Sequence, residues 1–473
     1  MRPTRVRLVS AAAVVLAIAA FTPGWASGTG TSARAHFGAP VQVTPANGGG
    51  YEPGIYSDAS GVLYMTAHKE NAELALSPDG RSTTQTRSMS WTWYSKDSGK
   101  TWLDLPLDVA DIRNHEFGDE GDMTLDDAGN LYFVDTEVAD VTFTAWHISN
   151  GQPTFTYNTP ALGSSQTVDD RPWIAAHGNG HVFYFGNEGD KISNPTGSTS
   201  AGPGSGAGRY TVYKSTDGGQ TWDHTGISLN DSGWCRPAAA PRSPYVYAVC
   251  TNDAGANDQT TNPADGTHQV GTLYAYVSPD DGKTWDRYPI THYNAFDAWT
   301  SYPVVDIAPD GSIWSFYLDG ITRGCTGGQC TPVGAKFVVM HSTDHGKHWK
   351  VYDATPAGAA KSWQYRYGWL SVARDGKTLG LAVYGRPYTS NDSQPWLVYG
   401  ATFKVGQHPT LVSLDQSHPV SKAGYSSPPG DFLMTTFDNH NKLHIAWTCT
   451  TIYADAAGVG AEAYHDIFTV AQR

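Results

Sequence analysis

Ser215-Thr216-Asp217-Gly218-Gly219-Gln220-Thr221-Trp222 is the stretch from which the organisation of this chain unfolds. It follows the β-forming run Tyr210-Thr211-Val212-Tyr213 and has the chemistry of a tight turn between strands. Aspartate accepts hydrogen bonds from nearby backbone amides, glycine takes up positive φ without penalty, and the tryptophan packs back on the sheet. The frame Ser-x-Asp-x-Gly-x-x-Trp recurs at Ser95 to Trp102, Ser278 to Trp285 and Ser342 to Trp349. The four tryptophans lie 120, 63 and 64 residues apart, so the first gap is two periods, and a decayed copy, His147-Ile148-Ser149-Asn150-Gly151, sits midway through it. A fixed period of this length signals one supersecondary unit stacked many times.

Upstream of each turn lies a second repeated element, a strand, a turn and a strongly β-forming strand. The turns fall at Ser60-Gly61, Ala128-Gly129, Asn179-Gly180, Ser243-Pro244, Asp310-Gly311, Asp375-Gly376 and Asn439-His440. Seven hairpins, each joined to a following strand pair, predict an all-β chain of seven four-stranded blades, a β-propeller, with six blades as the alternative count. The early segment Val41 to Thr44 is expected to supply the outer strand of the last blade and close the ring. The Ser-x-Asp-x-Gly-x-x-Trp turns resemble the Asp boxes of sialidases and related propellers. The resemblance extends over nearly the whole chain after its N-terminal segment, and it implies that the boxes sit on outer hairpins and serve the fold.

The N-terminus has its own character. Arg2, Arg5 and Arg7 precede an apolar run from Leu8 to Ala20, then Pro23 and the small-residue site Gly24-Trp25-Ala26, the layout of a secretory signal peptide over residues 1–26. The apolar run is short for a membrane span, so a secreted, extracellular protein without a membrane anchor is expected, with a flexible linker over 27–39 and one propeller domain over 40–473. Without the three leading arginines, the 31 basic residues fall to 28 against 45 acidic ones, a formal charge of −17. Such a surface repels phosphate backbones and excludes nucleic acid as a partner. The Gly/Ser-rich stretch Pro195 to Gly208 reads as an insertion within the third blade. Of five cysteines in an exported chain, Cys235 and Cys250 flank a turn and are expected to pair across it, Cys325 and Cys330 bracket a short loop that a bridge would close, and Cys449 is left over.

Chemistry is sought on the axis, where the first strand of each blade begins near the channel mouth. Counting nine residues back from each turn position gives Glu52, Glu120, Arg171, Arg236, Tyr302, Tyr367 and Asp431. All seven are charged or phenolic, and Glu52, Arg171, Arg236 and Tyr302 each precede a proline, which suits the first residue of a strand. Two opposed readings follow: these groups converge to grip a ligand, or they neutralise one another and seal the channel. Adjacent arginines hold a carboxylate through paired charge-assisted bonds.

Sialidases, which the chain resembles through its boxes and blades, hold an anionic sugar with three arginines and use a tyrosine nucleophile served by a carboxylate. By that resemblance Arg171, Arg236 and Arg366 are candidate clamps with Tyr302 beside them, Tyr367 is the candidate nucleophile, and Glu52, Glu120 and Asp431 are candidate acid-base groups. The chain departs from the family at Tyr51-Glu52-Pro53, where a Phe/Tyr-Arg-Ile-Pro motif would stand, and in its seven blades against the family's six. The expected activity is an exo-acting glycoside hydrolase on sialic acid or another anionic sugar. The alternatives are a propeller that binds a glycan or peptide without turnover, and a structural part of an exported assembly. The partner is an extracellular glycan or other small anion, and the protein a monomer. No zinc-helix, phosphate-loop or nucleophile-elbow motif is present, and His68, His115 and His177 read as surface or packing residues, with an approach to a channel loop as the alternative. No cofactor is expected; the loop Asn252 to Thr267, with Asp253, Asn257, Asp258 and Asp265, does not have the spacing of an EF-hand and reads as a solvated polar loop, with a calcium site as the alternative.

Overall fold

The computed structural model describes residues 26–27, 30–44, 49–69, 90–107, 120–137, 140–160, 172–187, 210–223, 225–229, 232–252, 270–294, 302–320, 323–326, 329–332, 335–357, 363–389, 393–421, 423, 428, 430, 432–454 and 461–473. They form seven four-stranded antiparallel blades and no helix, the seven-bladed propeller expected from the repeats, with Ala26–Ser27 added parallel to the outer strand Lys350–Asp353 of blade 5. The innermost strands, blades 1 to 7 in order, are Gly50–Ser57, Glu120–Leu125, Trp173–His177, Ser232–Ala239, Val304–Ile307, Trp363–Val372 and Met434–Phe437. Each pairs with the strand that follows it across the hairpins read from the sequence. Val41–Gln42 pairs antiparallel with the long strand Ala461–Ala471, which completes blade 7 and joins the two ends of the ring.

Middle strands are covered on both faces by neighbouring blades and carry apolar runs there. Val182, Phe183, Tyr184 and Phe185 of blade 3 are all fully buried. Three of the four Asp boxes lock their turns with the same bonds, and in the fourth His348 takes the place of the threonine. In blade 3 the Asp217 carboxylate accepts from Ser215 Oγ at 2.8 Å, Thr221 N at 2.9 Å and Thr221 Oγ1 at 2.6 Å, while Gly219 N donates to Ser215 Oγ at 2.8 Å. Gly219 is required twice over, for its φ of +92° and because a Cβ there would lie 2.1 Å from the Phe143 ring of blade 2. The decayed copy occupies the equivalent hairpin of blade 2, with Asn150 and Gly151 both at positive φ.

Cys235 and Cys250 are disulfide-bonded across the first two strands of blade 4, and Cys449 is free and buried. Cys325 and Cys330 face one another in register on a small hairpin. Residues 30–39, expected as a loose linker, carry specific backbone pairing. Gly30–Thr31 runs parallel to Gln407–His408, Thr410 N–H donates to Ser32 Oγ, and Phe37 bridges Gln472. The physical reason is that the strand after the blade 6 hairpin leaves an open edge whose amides this segment satisfies. Residues 1–25 of the expected signal peptide, the Pro195 to Gly208 insertion, His115 and the 253–267 part of the candidate calcium loop lie outside the described residues.

Candidate functional site

The hairpin turns and Asp boxes gather at one end of the ring, and the inner strands begin at the other. At that beginning, three inner strands carry β-bulges, between Tyr51 and Gly54 in blade 1, Ser232 and Cys235 in blade 4, and Arg366 and Gly368 in blade 6. Two bulged residues are non-glycines held at positive φ, Glu52 at 54° and Tyr367 at 47°. Such a conformation costs free energy and persists where packing enforces it, and bulges re-aim side chains next to binding sites.

Glu52 is buried, with its carboxylate 3.3 Å from His68 Nε2 on the adjoining strand. Its N–H donates to Thr448 Oγ1 at 3.1 Å, and Thr448 N–H donates to the Tyr384 hydroxyl at 3.2 Å. A Cβ at Gly430 would lie 2.7 Å from Glu52 Cγ, so the glycine makes room for the acid. Burial pushes the Tyr384 phenol well above its ordinary range, which keeps it a neutral hydroxyl. The Tyr367 ring meets Tyr384 edge-on at 6.5 Å and stacks on Tyr302 at 6.3 Å, and Tyr302 meets Trp234 edge-on at 5.0 Å. A crescent of aromatic rings therefore runs from blade 4 through blades 5 and 6, ending on a carboxylate-imidazole pair in blade 1. Arg366, beside Tyr367, is half-buried and makes no ion pair with any described residue.

Deeper on the axis, Arg236 is already engaged. Its two terminal nitrogens donate to Asp122 at 2.8 and 3.1 Å, the carboxylate also accepts from Ile174 N at 3.0 Å and from the Tyr56 hydroxyl, and Asp122 is fully buried. The guanidinium lies between Trp173 and Trp369, 4.2 and 5.0 Å from their ring centres, and Trp173 and Trp369 both contact Phe432. Burial alone would lower its pKa, but Asp122, with Tyr56 behind it, outweighs burial and holds it above the ordinary value. Below this plug, burial raises the Asp306 carboxyl to about 6 although Val372 N and Ile307 N both donate to it.

The structure thus places Glu52, Tyr302 and Tyr367 at one mouth and turns Arg236 inward to a carboxylate of the protein. Glu120 opens the inner strand of blade 2, opposite Thr136, while its side chain, and Arg171 and Asp431 altogether, lie outside the described residues. The count from turn glycines did not single out Asp122, Tyr56, His68, Trp234, Tyr384 or Thr448. It also passed over Arg386, fully buried at the mouth end of blade 6, whose Nε donates to Gln364 Oε1 at 2.6 Å. The sequence signal for Asp122 was its place two residues along the same strand from Glu120, on the same face.

No family model and no curated protein matches the chain. Solved structures do. A protein of unknown function from Dyadobacter fermentans is similar over 93% of this chain and 100% of its own, at 12% identity and a TM-score of 0.47. An alpha-L-arabinanase of Penicillium chrysogenum complexed with arabinobiose is similar over 93% and 98%, at 10% identity and 0.40. The NanB sialidase of Streptococcus pneumoniae is similar over 93% and 71%, at 13% identity and 0.37. The seven-bladed assignment stands on the strand pairings themselves.

Proposed function

We propose that the protein is an exported glycoside hydrolase that takes the terminal sugar of a glycan at the bulged mouth of the propeller. The observation that carries this reading is the pair of strained residues, Glu52 and Tyr367, held at positive φ on the inner strands of two blades at the same end of the ring. Aromatic faces with a few convergent polar groups are the usual lining of a small-molecule site. Tyr367 is the nucleophile of the proposal, and Glu52, coupled to His68, moves the proton. An anionic sugar, sialic acid first, would be gripped by Arg366 and Arg171. Arg236 serves this reading by stiffening the floor, since Asp122 occupies its fork. Export is supported by the Cys235 to Cys250 disulfide, which belongs to an oxidising compartment.

The test is a panel of fluorogenic glycosides, a sialoside and an arabinofuranoside among them, assayed with the wild type and three variants. Glu52→Gln and Tyr367→Phe are expected to lower kcat by about 100-fold or more with little change in KM. Arg366→Ala is expected to raise KM for the anionic substrate alone. Tight glycan binding by titration with no turnover of any substrate would replace this reading with that of a non-catalytic glycan-binding propeller. Absence of both would end it.

A further inference from the structure

At the opposite end of the ring, blades 3 and 4 meet through three side chains that the repeat does not call for. The inner hairpin of blade 3 turns through Gly178-Asn179-Gly180, with both glycines at positive φ, and sets His177 directly opposite His181. Cross-strand partners point to the same face, and the two rings lie 5.2 Å apart. From blade 4, Asp281 reaches back to them. Its Oδ1 stands 3.0 Å from His177 Nε2 and 3.0 Å from His181 Nδ1.

The internal repeats serve as the control. Where blade 3 has His177, blades 1 and 2 have Asp58 and Asp126, whose carboxylates accept the turn amides of Ser60 and Val62, and of Ala128 and Asn130. The position of His181 is filled by Val62 and Asn130 in those blades. Asp281 occupies the free place in its Asp box, where the other three boxes carry Ser98, Gly218 and His345. A box turn therefore needs no carboxylate there, and Asp281 holds a φ of 64° that a glycine would hold more cheaply. That free place reaches the preceding blade elsewhere too, since His345 stacks on Tyr245 of blade 4 at 4.1 Å. Only between blades 3 and 4, among the described residues, does the reach bring together three groups able to ligate a metal.

We infer that His177, His181 and Asp281 form a binding site for a zinc-type divalent cation that clamps blade 3 to blade 4. Their donor atoms all lie within 4.8 Å of one another. Zinc takes imidazole nitrogen and carboxylate oxygen at about 2.0 to 2.2 Å in a tetrahedron, so opening the cluster by a few tenths of an ångström seats the ion. Two imidazoles with a single carboxylate select zinc or a neighbouring borderline metal over calcium, which wants six to eight oxygens. The half-exposed His181 leaves the fourth position open to water, while His177 is buried. Lys214 binds Asp281 Oδ2 and, at 2.8 Å, its backbone carbonyl, which turns Oδ1 toward the imidazoles in the manner of an outer partner that orients a ligand.

The experiment uses the full chain stripped with a chelator and titrated with zinc alone, read by calorimetry, metal analysis and thermal unfolding. One equivalent per chain is expected, with a rise in Tm that the chelator reverses. His181→Ala and Asp281→Ser, the latter restoring the residue type of the first box, are each expected to weaken zinc binding by at least tenfold while leaving the Tm of the stripped protein close to that of the stripped wild type. Cobalt loaded into the wild type is expected to show the intense visible bands of a four-coordinate ion, a readout that needs no variant. A stripped wild type that takes up no zinc would overturn the inference. So would uptake undiminished in both variants, or a cobalt spectrum of the hydrated ion.

Discussion

Asp122, with no exposure to water, is surrounded by four donors, two from Arg236, one from the Ile174 backbone and one from the Tyr56 hydroxyl. A buried ion pair of this kind contributes modestly as a pair, yet breaking it strands the remaining charge. Asp122→Ala is expected to lower unfolding free energy by about 3 to 5 kcal/mol, whereas Asp122→Ala combined with Arg236→Met should cost clearly less than the single change; urea titrations of the three proteins decide it. Equal losses in the single and double variants would show that Asp122 matters for its shape alone. This pair also shows why the site was half legible. Glu52 and Tyr367 were reached by counting along each repeat, because their places are set locally by a bulge beside a turn register. The partner of Arg236 lies 114 residues away on a blade across the axis, a distance that no local count spans. With a free fork Arg236 reads as a clamp for a substrate carboxylate, and only the folded ring reveals that the protein supplies the carboxylate itself.

Among the elements, the Asp-box hairpin was the most legible because all its determinants lie within eight residues. Ser215, Asp217, Gly219 and Thr221 bond one another, and Trp222 Nε1 closes on Gly219 O at 3.0 Å, so the turn is specified wherever those residues occur together. Asp217→Ala removes three accepted hydrogen bonds at an exposed turn and should cost about 1 kcal/mol. Thermal unfolding measures this loss, and turnover or glycan affinity of the folded protein should stay unchanged, since the box lies at the far end from Glu52 and Tyr367. A loss of ligand binding in well-folded Asp217→Ala protein would move the functional end of the propeller. A second set of turn aspartates is less regular in place: Asp310 and Asp375 stand one residue before their turn glycines and were read with them, whereas Asp58 and Asp126 stand three residues before theirs and went unread. Asp58, Asp126, Asp310, Asp375 and Asp438 each accept backbone amides of the inner hairpins. Their neighbours vary from blade to blade, so no fixed frame announces them.

On the scale of the whole molecule, two carboxylates of blade 5 have pKa values that move in opposite directions. Burial raises Asp306 to about 6, so between pH 3.8 and about 6 the folded protein binds a proton that the unfolded chain has released. Stability from this group is complete below that window and is lost as pH rises through it, by at most about 3 kcal/mol. Asp344 runs the other way. Burial opposes the change, but the His348 amide and ring and the Ser342 hydroxyl bring it down to about 2, so its contribution is present above pH 3.8 and disappears as pH falls toward 2. Asp306→Asn is expected to remove the decline between about pH 4 and 6 and to leave the acid limb intact, which urea midpoints across pH 2 to 8 will show; an unaltered decline would exclude Asp306 as its source. The ring closure, finally, governs when the molecule becomes complete. Thr44 Oγ1 donates to Asp466 Oδ1 across 422 positions of chain, and Val43 N–H bonds Ile467 O beside it. During synthesis that contact has to wait until residue 467 has been made, and until it forms the Ala461–Ala471 strand offers a bare edge to other nascent chains. The hazard of assembly therefore sits at ring closure, where a passing copy competes with residues 41–44 for the same ladder.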